Sequence, residues 1–196
     1  MATLSTAAKP VGLILAGGQS KRFGSDKALA CLIDHQPNLL VMIEKLRPFC
    51  GSLVVSANAA NFFALARLVA PLTDVKVICD APAYRQRGPL GGLATLLEQI
   101  TAVDVLMVAV DYPTLPLAAL AALAAHPNCY LTSAGKAHYT LAHFNLDRDW
   151  WKNWRTTSSS WRLQDFLRAR GCSPLTTDVN LVNCNYQRRK IDDDQE

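Results

Sequence analysis

Short apolar runs, each followed by a stretch with helical periodicity, recur along almost the whole of this sequence. They limit what it can fold into. Val11–Leu15, Leu53–Ala57, Val75–Cys79 and Val103–Val110 read as strands, and Leu39–Leu46, Phe62–Val69, Leu90–Ile100, Leu117–Ala125 and Trp161–Arg170 read as helices. Cys129–Thr132, Thr140–Phe144 and Leu181–Cys184 read as further strands. A strand that is apolar on both faces must be covered on both, and helices between such strands supply that cover. The expected architecture is α/β, with three layers around a mostly parallel sheet. A chain of 196 residues suits one domain, spanning residues 1–196, with residues 1–9 and 188–196 as frayed ends. The polar segment WRTTSSSW reads as a mobile loop.

Sheets of this kind bind ligands beyond the carboxyl ends of their strands, at the point where strand order reverses. Polar residues do gather there. Gly17 and Gly18 follow the first strand, Asn58 the second, Asp80 the third and Asp111 the fourth. The first of these turns holds the most chemistry. It runs Leu15-Ala16-Gly17-Gly18, then a polar insert with Lys21 and Arg22, then Gly24, Asp26 and Lys27. Neither GxxxxGK[ST] nor GxGxxG occurs in it, so it is neither a P-loop nor a dinucleotide fingerprint. Paired glycines let backbone N–H groups approach a phosphate, Arg22 offers a planar fork for its oxygens, and Lys27 adds a compact charge.

Composition narrows the ligand further. The formal charge of +4 and pI near 8.8 suit a small anion but are too weak and too dispersed for nucleic acid. The six cysteines form no CxxC pair and read as small core residues of a reducing, cytoplasmic compartment. MATLSTAAKP has no secretory apolar core, and no apolar stretch approaches the roughly 20 residues of a membrane span. His138 and His143 lack ligand spacing and read as structural. The DWWKNW tryptophans read as packing against the sheet rather than stacking on a ligand.

LAGGQSKRFGSDKA resembles the signature of the molybdenum cofactor guanylyltransferase family. GPLGGL (88–93), VAVDYPTL (108–115) and LVNCN (181–185) are similar to later blocks of that family, in the same order. Related enzymes that activate sugars more often carry Pro-Lys where this chain has Asp26-Lys27. The resemblance implies a Rossmann-like nucleotidyltransferase fold and transfer of GMP from GTP to molybdopterin, with pyrophosphate released. It implies Mg²⁺ as cofactor, held by Asp111, with Arg22, Lys27 and Asp111 as catalytic residues. Leu15, Ala16, Gly17, Gly18, Lys27, Asp80 and Asp111 would bind the nucleotide, and Arg162, Asn183 and Asn185 would lie on the pterin side. Contacts with molybdopterin-synthesis or molybdoenzyme partners are a further implication. Arg85 and Arg87, in YRQRGPLGG, read either as a solvated loop or as a lid meeting the second substrate. The family often has Asn at the position of Ser56, so that contact is open here. The alternatives are a related nucleotidyltransferase using CTP or a sugar phosphate, and a non-catalytic nucleotide-binding protein of the same fold.

The chemistry needs no dedicated base. A phosphate monoester has its second pKa at about 6, so the nucleophile is already largely ionised at neutral pH. The remaining task is to gather anions and stabilise the leaving group, which positioned cations and backbone amides can do.

Overall fold

A computed structural model describes residues 9–18, 26–33 and 35–184. Seven strands form one sheet in the order β3-β2-β1-β4-β6-β5-β7. They are β1 (Val11–Leu15), β2 (Ser52–Ala57), β3 (Val75–Cys79), β4 (Ala102–Ala109), β5 (Cys129–Ser133), β6 (Lys136–Asp147) and β7 (Ser173–Thr176). The first three strands step outward from β1, and the chain then returns to place β4 on its other side. All of β3-β2-β1-β4 is parallel. The reversal of strand order therefore falls between β1 and β4.

Alternate residues of the central strands feed two separate cores. Ile14, Val55, Leu106 and Val108 face α1 (Asn38–Leu46), α2 (Phe62–Val69) and α4 (Leu117–Ala125). Leu13, Val54, Val105 and Met107 face α3 (Pro89–Gln99), α5 (Arg148–Thr157) and α6 (Leu163–Ala169). The three layers expected from the strand pattern are thus present, and both faces of the parallel half are dry.

The other half of the sheet departs from the sequence reading. β6 runs antiparallel to both β4 and β5 and extends well beyond Thr140–Phe144. β5 and β6 are joined through Ala134 (φ 48°) and Gly135 (φ 73°), a two-residue turn with both φ values positive. Leu181–Cys184 is no strand. The edge strand there is β7, Ser173–Thr176, parallel to β5, with Pro174 tolerated at the sheet edge. The expected WRTTSSSW loop is also shorter than its motif, because Trp154–Thr157 complete α5. The Asp147 side chain caps that helix by accepting from Trp150 N at 2.7 Å. Trp151 and Trp154 are buried against Phe166, so these indoles serve the core as expected. His138 and His143 are buried and hydrogen-bonded, to the Tyr112 hydroxyl and the Leu123 carbonyl. All six cysteines are free.

Candidate active site

A cleft of about 1110 Å³ opens at the carboxyl ends of β1, β2 and β3. Leu15, Gly17 and Gly18 line it at the end of β1, Ser56 and Asn58 at the end of β2, and Asp80 after β3. Arg85, Gln86 and Gly88 contribute the rim before α3. Space at Gly17 is tight. A Cβ there would come within 3.3 Å of the backbone of Ala57 and Asn58, tighter than ordinary contact, whereas Gly18 faces open space. The β1 turn can therefore press against β2 and leave its next peptide toward the cleft.

The turn is fixed by two asparagines, Asn58, read from the sequence as a strand-end polar residue, and Asn61, which the sequence did not single out. Asn61 stands at the N-cap of α2, yet its side chain makes no cap bond. It is buried and instead accepts from Asn58 N at 2.9 Å and donates to Ala16 O at 2.9 Å and to Asp26 Oδ2 at 2.7 Å. Asn58 in turn donates to Gly17 O at 2.9 Å. The other carboxylate oxygen of Asp26 accepts from Ala28 N at 2.8 Å, closing a turn around Lys27. Asn38, fully buried at the start of α1, donates to Lys27 O at 2.8 Å. Asp26 thus holds the loop from both carboxylate oxygens, two acceptors that a proline could not supply. The spacing Asn58-x-x-Asn61 before a helix was the available signal, but it reads first as turn and cap chemistry.

Lys27 is thereby aimed across the reversal point at Asp111, two residues beyond Ala109 at the end of β4. Its ammonium lies 3.5 Å from Asp111 Oδ2. Burial pushes the Asp111 carboxyl above its usual range, and Lys27 opposes that rise. Asp111 Oδ1 is buried and takes no hydrogen bond among the described residues. An oxygen of that kind suits a hard divalent cation. The described residues hold no cluster of three or more His, Cys, Asp or Glu for a metal. A cation held here by protein would therefore depend on Asp111 and draw further oxygens from phosphate and water, as Mg²⁺ commonly does. Lys45, half-buried on α1, donates to Pro113 O and Leu115 O at 2.7 Å each and pins the loop beyond Asp111.

On the opposite wall, burial raises the Asp80 carboxyl to about 6, while a hydrogen bond from Ser56 lowers it. Ser56 is buried beneath α3, where a Cβ on Gly92 would meet its Oγ and come within 2.9 Å of its Cβ. The small residue at this position therefore serves Asp80 and close packing of the helix. Arg85 reaches the cleft, but Arg87 stacks on Trp161, 4.8 Å from the ring centre, with Arg155 at 4.1 Å from the same ring. Arg162 stands at the N-cap position of α6 without a side-chain cap bond, next to that tryptophan in sequence, exposed and outside the cleft lining. Asn183 approaches Tyr112, next to Asp111. Arg22 and Asn185 lie outside the described residues.

A parallel sheet with a glycine turn, a lysine and a carboxylate at its strand-order reversal is shared by many nucleotide-binding chains, and comparison with known proteins narrows the field. Residues 12–173 match the MobA-like NTP transferase domain. The chain belongs to that family. It is 31% identical over 131 residues to a probable molybdenum cofactor guanylyltransferase of Geobacillus sp. (strain WCH70), covering 67% of this chain and 65% of the relative. It is 33% identical over 135 residues to the molybdenum cofactor guanylyltransferase of Rhodobacter capsulatus, covering 67% of this chain and 66% of the relative. The chain thus spans just under two thirds of the length of these two relatives. Among solved structures, a Mycobacterium tuberculosis H37Rv protein crystallised in complex with manganese shares the fold. Its TM-score is 0.59 at 16% identity, over 89% of this chain and 91% of that one. Membership of the MobA-like family agrees with the three-layer fold and with a site at the carboxyl ends of the strands. No helix among the described residues is long and apolar enough to cross a membrane.

Proposed function

We propose that this chain transfers GMP from GTP to molybdopterin and releases pyrophosphate. The observation that carries the reading is the Lys27–Asp111 pair, set across the β1/β4 reversal point at the same end of the sheet as the Gly17–Gly18 turn. In the reaction a terminal phosphate oxygen of molybdopterin forms a bond to the α-phosphorus of GTP. The bond from that phosphorus to the bridging oxygen breaks, and its electrons leave on pyrophosphate. Backbone N–H groups around Gly17 and Gly18, with Lys27 and Arg22, would hold the triphosphate, and Leu15 and Ala16 would line the nucleoside. Asp80, opposite, would accept from the N–H donors on the pairing edge of guanine. Asp111 would hold Mg²⁺, which when bound supplies charge neutralisation between the two anionic substrates. Lys27 opposes the rise that burial imposes on the Asp111 carboxyl and would stabilise the charge that develops during transfer.

Guanine and the pterin are supported by the names of the relatives, and triphosphate handling by the geometry. The test is pyrophosphate release with molybdopterin, comparing GTP with CTP in the wild type and in Asp111→Ala. Turnover with GTP well above that with CTP, and its loss in the variant, is expected. Equal use of CTP, or an active Asp111→Ala enzyme that still requires metal, overturns the assignment.

A further inference from the structure

Asn38 and Lys45 stand near opposite ends of α1, and each ties a different half of the Lys27–Asp111 pair. With Met42 between them they occupy positions i, i+4 and i+7, which share one face of a helix. Met42 is fully buried and seats that face in the core that also contains Leu115. Neither Asn38 nor Lys45 lines the cleft.

The first end of the helix is bound to the chain around Lys27. Pro37 stands at the N-cap position and offers no side-chain cap, so the first amides of α1 need other acceptors. Asn38 N donates to Ala30 O at 2.8 Å and Leu39 N to Ala28 O at 3.0 Å. The Asn38 side chain adds the bond to Lys27 O at 2.8 Å. The main chain that carries Lys27 is thereby fastened to α1.

The other end of the helix is bound to the turn that carries Asp111. Ahead of Asp111, Val110 N donates to Leu15 O at 3.1 Å and continues the pairing of β4 with β1. Beyond it the chain runs Tyr112-Pro113-Thr114-Leu115-Pro116, and its two prolines bring no amide proton. The turn is short of donors of its own, and the Lys45 ammonium supplies two from α1, to Pro113 O and Leu115 O at 2.7 Å each. Lys45 forms no ion pair among the described residues, so its charge serves these carbonyls.

We infer that α1 is a brace between the Lys27 loop and the Asp111 turn, and that Lys45 is a positioning residue. Through the turn it sets where the Asp111 carboxylate stands relative to the Lys27 ammonium. From Asn38 to Lys45 the helix rises about 10 Å, two stiff turns that hold both ties at a fixed separation. The 3.5 Å approach of Lys27 to Asp111 then depends on α1 as well as on the pairing of β1 with β4. A carboxylate that holds a metal is tuned by the groups that fix its own position. The consequence for metal and turnover rests on the proposed function. The brace itself does not.

The experiment uses Lys45→Met, which keeps an unbranched stem and removes the ammonium, and Lys45→Arg, which returns a cation. Hydrogen exchange is followed in the ligand-free protein at the amides of Tyr112 and Leu115, which bond to Ala109 O and Tyr112 O. Mn²⁺ binding is titrated by electron paramagnetic resonance in the presence of GTP, and kcat and KM for GTP are read from pyrophosphate release. In Lys45→Met, exchange at both amides should quicken about tenfold while β1 and β2 stay unchanged. Mn²⁺ affinity and kcat should each fall about tenfold, with KM for GTP within about twofold of wild type. Lys45→Arg should recover most of both. If Lys45→Met does not fold, Lys45→Gln, a shorter neutral donor, stands in for it with the same direction of change expected. A residue that serves stability alone would lower Tm and leave Mn²⁺ affinity and kcat of the folded variant at the wild-type level. That result overturns the inference, as does unchanged exchange at Tyr112 and Leu115. A wild type that releases no pyrophosphate overturns the proposed function, and the exchange measurement still decides whether Lys45 holds the turn.

Discussion

Asp80 illustrates how a residue at a strand end trades stability for a charge in the cleft. Its carboxyl has an ordinary pKa of 3.8 in the unfolded chain and is raised to about 6 by burial in the fold. Between these values the native state binds more protons than the unfolded state, so this group's contribution to stability falls as pH rises from about 4 to about 6 and stays low above that. Asp80→Asn removes the charge. The variant should melt higher than wild type at pH 7, and the difference should shrink to nothing by about pH 4. If the carboxylate also accepts from guanine, the same variant should lose roughly 1.5–3 kcal/mol of GTP binding. Parallel melting curves and GTP titrations at both pH values check the pair of outcomes. A variant no more stable than wild type at pH 7 contradicts the burial argument. That Asp80 lines the cleft was legible from its place after a strand. The Ser56 hydroxyl that serves it was not, because a lone serine in an apolar run carries no sign of which neighbour it meets.

Between elements, the clearest device is Asn61, which ties the β1 turn, the β2 end and the Asp26 turn to one amide. Replacing it with alanine frees three partners, one buried and two part-buried, at about 1–3 kcal/mol for each group left without water. Asn61→Ala should therefore lower Tm by several degrees. Activity should fall further than stability, because Lys27 loses its fixed approach to Asp111. Full activity in a folded Asn61→Ala protein shows that the web is structural only. Elements differ in how far their sequence reveals them. β1 and β4 are buried on both faces, so long apolar runs announce them. The β5–β6 hairpin hides because its turn is Ala134-Gly135 rather than Asn-Gly, and β6 therefore reads as a shorter strand in a parallel series. β7 hides because it is a short, largely exposed edge strand carrying Pro174. Leu181–Cys184 misleads in the opposite sense. Its apolar residues suggest a strand, but two of its amides go to the Ser133 hydroxyl and the Asp111 carbonyl instead of to a ladder.

At the scale of the whole molecule, the chain works by bringing groups far apart in sequence to one line along the sheet end. Lys27 and Asp111 meet only because β1 and β4 are neighbours, a pairing that no local pattern states. Strand-end residues could be listed from sequence, but which two of them face each other depends on strand order. The pairing also predicts how ligands and stability are linked. Burial raises the Asp111 carboxyl and Lys27 restrains that rise, and one buried oxygen of Asp111 is unbonded among the described residues. A divalent cation arriving with the triphosphate would satisfy that oxygen, and the native state alone offers the arrangement. GTP and Mg²⁺ together, at about 100 times their joint Kd, should stabilise the fold by about 2.7 kcal/mol. At roughly 2–4 °C per kcal/mol for a chain of this size, the melting temperature should rise by about 5–10 °C. Chelating the metal with GTP still present should remove most of that rise. Asp111→Ala should show only the small shift that GTP gives without metal, because the glycine turn and Lys27 still meet the phosphates. A shift that survives both chelation and loss of Asp111 places nucleotide recognition entirely in the β1–β3 half and removes the metal from Asp111.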